Sequence, residues 1–99
     1  MTNEEKLKAI RPWIDPEERI TVNFLDEQGL NAEVTGCTDE LVDLSLETRV
    51  PHIKQRISVP LRRAEVSEDP SHYTRDPDRP LEHRRLILRI KDNRPPIVY

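Results

Sequence analysis

From Arg19 onward the chain alternates apolar with polar residues. Ile20, Val22 and Phe24 are separated by Thr21 and Asn23, the period-two pattern of a strand with one dry face. The run Asp26-Glu27-Gln28-Gly29 predicts a hairpin loop, with Gly29 at the positive-φ position. Leu30, Ala32 and Val34 return to the dry face, while Asn31, Glu33 and Thr35 face water. A turn is expected over 36–40. Val42, Leu44 and Leu46 then alternate with Asp43, Ser45 and Glu47 in a third strand. Pro51 breaks the pattern. Beyond it Ile53, Gln55, Ile57, Val59 and Leu61 share one parity, and Lys54, Arg56, Ser58 and Arg62 the other. Pro60 marks an edge or a bend in this fourth strand. The parity slips before Ala64 and Val66, which predicts a bulge near Arg62-Arg63.

The ends of the chain read differently. Thr2 with Glu5 three residues later forms a capping box and predicts a short helix, its apolar face made by Leu7, Ala9 and Ile10. Pro12 ends it. Residues 67–80, SEDPSHYTRDPDRP, predict a long exposed loop. The run LILRI within 84–91 predicts a fifth strand. Leu86, Leu88 and Ile90 fall on one side of it, and Arg85, Ile87, Arg89 and Lys91 on the other. A helix over 81–91 is the alternative, since most of those residues tolerate one. Residues 92–99 read as an extended tail. The expected organisation is a helix and lead-in over 1–18, one small domain over 19–91, and the tail.

The fold class that follows is mostly β (or α+β): a small bent antiparallel sheet of about five strands with a short N-terminal helix. Over residues 19–91 the layout of short strands, an acidic hairpin and a bent fourth strand resembles an SH3-like or Sm-like small barrel. The resemblance is one of pattern. It implies a fold and carries no functional residue, because no family signature motif lies within it and such barrels serve many functions.

Composition narrows the picture. The chain has 99 residues, 34% apolar and 35% charged, which supports one domain with a modest core of Val, Ile and Leu. The lone cysteine, Cys37, allows no internal disulfide. No apolar run is long enough to span a membrane, and the acidic start (Glu4, Glu5) lacks a signal-peptide core. The chain is therefore read as cytoplasmic.

Catalytic and metal chemistry find little support. Cys37, His52, His72 and His83 are too far apart in sequence for close ligand pairs or a local nucleophile signature. Asp76 and Asp78 are spaced like calcium ligands, without the glycine and terminal glutamate of an EF-hand loop. The paired acids fall in turns and at element ends, where carboxylates stay solvated. No phosphate-binding glycine loop can be built from Gly29 and Gly36. No catalytic residue, metal or cofactor is assigned.

Charge supplies the one signal. Residues 1–50 hold 12 acids against 5 bases, and residues 51–99 hold 7 acids against 11 bases. A sign change between halves marks either an anion-binding surface or acidic strands paired with basic ones, such as Asp43 and Glu47 opposite Lys54 and Arg56. The candidate partner-binding residues are Arg62, Arg63, Arg85, Arg89 and Lys91, acting as anion-pairing contacts. The leading expectation is a non-enzymatic protein-interaction module for an acidic partner or a second copy. One alternative is an RNA-associated barrel using the same arginines on phosphates and the 67–80 loop on bases. An isoelectric point near 5.6 and the lack of aromatics on the basic strands weigh against it. The other alternative is a sensor of an anionic small molecule or nucleotide, for which so small a domain has little room.

Overall fold

The computed structural model describes residues 1–14, 19–70 and 84–97. Helix α1 (Asn3–Ile10) starts as its sequence dictates: Glu5 N donates to the Thr2 side chain at 3.2 Å. Glu4 and Glu5 in the first turn and Lys8 in the last suit the helix dipole. A 3-10 turn over Arg11–Trp13, containing Pro12, finishes the helix. The buried face differs from the expected one. Ile10 is buried as expected, but its fellow is Lys6, with Leu7 and Ala9 only half-buried. The lysine stem covers apolar surface while Nζ donates to Leu61 O at 2.7 Å.

Six strands form one mixed sheet: β1 (Ile20–Asn23), β2 (Leu30–Cys37), β3 (Leu41–Glu47), β4 (Lys54–Pro60), β5 (Ala64–Pro70) and β6 (Arg84–Ile90), in the order β4-β3-β2-β1-β6-β5. β1 to β4 form a meander in which each strand is antiparallel to the next, in keeping with the expected antiparallel sheet. The expectation of about five antiparallel strands needs correction on two points. β6 runs parallel to β1 and antiparallel to β5. The parity slip near residue 62 is not a bulge: a 3-10 turn, Leu61–Arg63, ends β4 and starts a separate strand. β5 also continues to Pro70, into the segment expected to be loop; the rest of that segment, 71–80, lies outside the described residues. Over 84–90 the β-favouring run is a strand, as expected.

β4 and β5 are the two edges of the sheet, yet only the three residues of the 3-10 turn separate them. The sheet therefore curls until its edges approach at this corner. No ladder joins β4 to β5, so the sheet is not closed. Leu61 N donates to Glu40 O and Lys91 N donates to Arg63 O, both at 2.9 Å, which ties the turn to β3 on one side and to the end of β6 on the other.

The dry face read from the alternation is the core. Ile20, Val22, Leu44, Leu46, Leu86 and Leu88 are each at most 1% exposed. Edge strand β4 is drier at its end, where Val59 is buried, than at its start, where Gln55 and Ile57 are half-buried. The turn expected over 36–40 is shorter: β2 passes through Gly36 to Cys37, with a register shift between Val34 and Gly36. A Cβ at Gly36 would meet Asp43 Oδ2 at 3.2 Å, so the small residue admits the cross-strand carboxylate. Thr38 then organises the tip, accepting from Glu40 N and Leu41 N. Gly29 has φ +73°, as the first hairpin requires, and its N–H donates to Asn23 Oδ1 at 2.7 Å.

The β3–β4 connection holds a strained residue. Thr48 Oγ1 donates to Ile53 O at 2.7 Å and fixes the loop, in which exposed His52 has φ 72°. A side chain in this region costs energy that glycine avoids, so His52→Gly is expected to stabilise the fold by about 0.5–1 kcal/mol after the entropic cost of glycine is deducted. A higher urea midpoint at unchanged slope would register this gain. An unchanged or lower midpoint would show that the imidazole holds the loop in place.

Candidate functional site

The 3-10 turn at the corner of the sheet sets the site. Leu61 is fully buried, which drives its neighbours Arg62 and Arg63 outward. Arg63 forms a fork on Asp92: Nη2 lies 2.7 Å from Oδ1 and Nε 3.2 Å from Oδ2. Nη2 also donates to Lys91 O at 2.9 Å. The hydrogen bond holds the Asp92 carboxyl below its ordinary range and the Arg63 guanidinium above its own. The stability this pair contributes is present above the range where an unfolded aspartate titrates, and is lost as pH falls through the lowered Asp92 value.

The end of β6 brings two more cations to the same place. Lys91, whose backbone bonds to Arg63, approaches Glu65 Oε1 with Nζ at 3.5 Å. Arg89 lies opposite Glu65 in the ladder and is exposed. Among the described residues neither Arg62 nor Arg89 has an ion-pair partner. Beside them opens a cleft of about 450 Å³, lined by Asn23, Phe24, Leu25, Gln28, Glu65, Arg89, Ile90 and Lys91. It sits at the ends of the parallel strands β1 and β6, where both chains leave the sheet. Leu25 N donates to Asp92 O at 3.1 Å and anchors its wall. Leu25 itself is 71% exposed, whereas Phe24 and Ile90 are buried and form an apolar floor.

Four of the five residues singled out by charge thus meet at one corner: Arg62, Arg63, Arg89 and Lys91. Arg85 does not. It is about 13 Å further back along β6. There it is half-buried and donates through Nη2 to Asn31 Oδ1, and its Nε is buried without a partner. Ile87, between them, is half-buried.

Elsewhere some of the basic and acidic side chains pair. Lys54 pairs with Glu33 at 3.6 Å and Arg19 with Glu47 at 2.8 Å. Asp43 accepts from the Ser58 hydroxyl. Arg56 lies opposite Ser45, not opposite an acid.

Arg94 was not legible as important in the sequence. Its backbone N–H donates to Asp26 at 3.0 Å, Nη1 to Glu27 at 2.9 Å and Nε to Gln55 at 3.3 Å. Gln55 Nε2 in turn donates to Pro95 O at 2.9 Å. Arg94, Pro95 and Pro96 of the segment expected as an extended tail are clasped to the first hairpin loop and to β4. The only hint was an acid pair at 26–27 and an isolated arginine among prolines.

The remaining candidates stay apart. Cys37 and His52 lie at opposite ends of β3, about 17 Å away along the strand. Burial, with Asp43 adding to it and Arg11 opposing, pushes the Cys37 thiol up, away from the thiolate. Among the described residues no three His, Cys, Asp or Glu side chains converge into a metal-holding group, and no helix is long and apolar enough to cross a membrane. His72, His83, Tyr73, Asp76 and Asp78 lie outside the described residues. No protein-family model, curated protein or solved structure matches the chain.

Proposed function

We propose that this chain is a small, non-enzymatic, cytoplasmic binding module that uses its cationic corner to hold a carboxylate-bearing protein partner. One observation carries the reading: among the described residues Arg89 in the cleft and Arg62 on the adjoining turn are exposed and without an ion-pair partner, whereas Lys54, Arg63 and Arg94 are engaged within the molecule. Unpaired guanidinium groups bind carboxylates through two parallel hydrogen bonds, which adds geometry to charge. The curled sheet, with opposite edges joined by one short turn, supports an incompletely closed SH3-like or Sm-like barrel as the scaffold. A rigid scaffold with function on its turns and strand ends fits that reading.

RNA is the competing partner. The corner offers it phosphate contacts, but the aromatic that lines its cleft among the described residues, Phe24, is buried and cannot stack on a base. The test is recovery of partners on the tagged protein and on its Arg62→Glu/Arg89→Glu variant, each with and without nuclease. The wild type is expected to keep a discrete protein after nuclease, and the variant to keep about tenfold less of it at unchanged circular dichroism. Equal retention by the variant would remove the corner from the interaction. Loss of everything on nuclease treatment would make the partner a nucleic acid.

A further inference from the structure

The lining of the cleft is not uniformly basic. Its ionic lining is two cations, Arg89 and Lys91, and one carboxylate, Glu65. Lys91 leans on Glu65 at 3.5 Å, which leaves Arg89 as the cation of this lining without an ion pair among the described residues. The net single positive charge of this lining is matched by one carboxylate, whereas a multiply charged ligand would leave charge uncompensated. The rest of the lining is apolar or amide. Exposed Leu25 stands above the buried Phe24 and Ile90, with Asn23 and Gln28 completing the wall. The Asn23 carbonyl is already taken by Gly29 N.

We infer that the cleft accepts one carboxylate carried on an aliphatic body, in the form of the C-terminal residue of a partner chain. A chain terminus sets an α-carboxylate and an aliphatic side chain on the same carbon, which matches a lone guanidinium beside a leucine. Terminal carboxylate capture is also a recurring way for small domains to read a peptide. The inference rests on the proposed carboxylate-binding role of the corner and gives that role a specific ligand.

The test is an amide chemical-shift titration of the full chain with four probes. They are the pentapeptide acetyl-Gly-Ser-Gly-Ser-Leu with a free carboxylate, the same peptide as its C-terminal amide, N-acetylglycine, and inorganic phosphate. The free-acid peptide is expected to shift Leu25, Gln28, Arg89 and Lys91 and to bind about tenfold tighter than each of the other three. Arg89→Gln should abolish this binding. Leu25→Ser should bring the peptide down to the level of N-acetylglycine. Equal binding of N-acetylglycine or phosphate would overturn the inference and leave a general anion site at the corner. Equal binding of the amide peptide would overturn it as well, since the carboxylate would then be irrelevant. Absence of shifts with all four probes would overturn both the inference and the carboxylate reading beneath it.

Discussion

Leu88→Ala will lower stability by about 2–5 kcal/mol, the range for emptying a fully buried leucine site. Leu88 is 0% exposed on β6, with Val22 of β1 beside it on one side and Val66 of β5 on the other. Among the described strands β6 is the one whose pairing joins the meander to β5, since it pairs with both β1 and β5. The cavity would therefore open where the two parts of the sheet meet. A domain of this length has roughly 5–15 kcal/mol of stability in all, so the loss should be visible as a large drop in urea midpoint. Leu25→Ala is the control, since an exposed leucine should change stability by no more than about 0.5 kcal/mol. Comparable losses from the two variants would mean that the sheet does not hold Leu88 as described.

Arg94→Ala will cost about 1–3 kcal/mol through lost charge-assisted hydrogen bonds. The Arg94 side chain is 12% exposed, and its Glu27 partner 31%. Truncation would strand the Glu27 carboxylate and the Gln55 carbonyl at once and loosen the segment from residue 94 onward, while Asp92 stays held by Arg63 and Leu25. The gain from the pair is limited, because Arg94 Nη2 is buried without a partner. Arg94→Lys should not restore stability, since a single ammonium cannot reach both acceptors as a planar fork does. Hydrogen exchange resolves the effect: amides of the 24–29 loop should lose protection while those of β3 keep theirs. Uniform loss across the sheet, or none at all, would contradict a local clasp.

The two residues illustrate what could and could not be read in advance. Leu88 was placed in the core by alternation alone, because a strand's side chains point to opposite faces and a one-residue slip would turn the whole apolar set to water. Ile20, Val22, Leu44 and Leu46 follow the same alternation and are all buried. Arg94 was hidden because its partners, Glu27 and Gln55, lie 67 and 39 residues away in the chain. The proline-rich sequence around it carries no periodicity that could reveal long-range contacts.

The cationic corner lies between these cases. Charge counting picked out Arg62, Arg63, Arg89 and Lys91, and the folded chain brings them together. It also picked out Arg85, which shares the same strand face and yet turns to Asn31. Residue type and parity do not distinguish Arg85 from Arg89. What separates them is that the strand ends near Arg89 and opens onto a cleft.

The sequence by itself therefore determined the strands of the meander, the helix cap at Thr2, the positive-φ glycine at position 29 and the buried face of nearly every strand. These are local properties: hydrogen bonds a few residues apart, backbone freedom, and a side-chain period of two. Tertiary structure alone decided that β6 lies parallel to β1, that the 3-10 turn at 61–63 curls one sheet edge toward the other, and that Lys6 rather than Leu7 completes the buried face of the helix. It also decided which cations, among the described residues, have no ion-pair partner. Each of these depends on which segments become neighbours, and alternation specifies a strand's buried face without specifying the strand beside it.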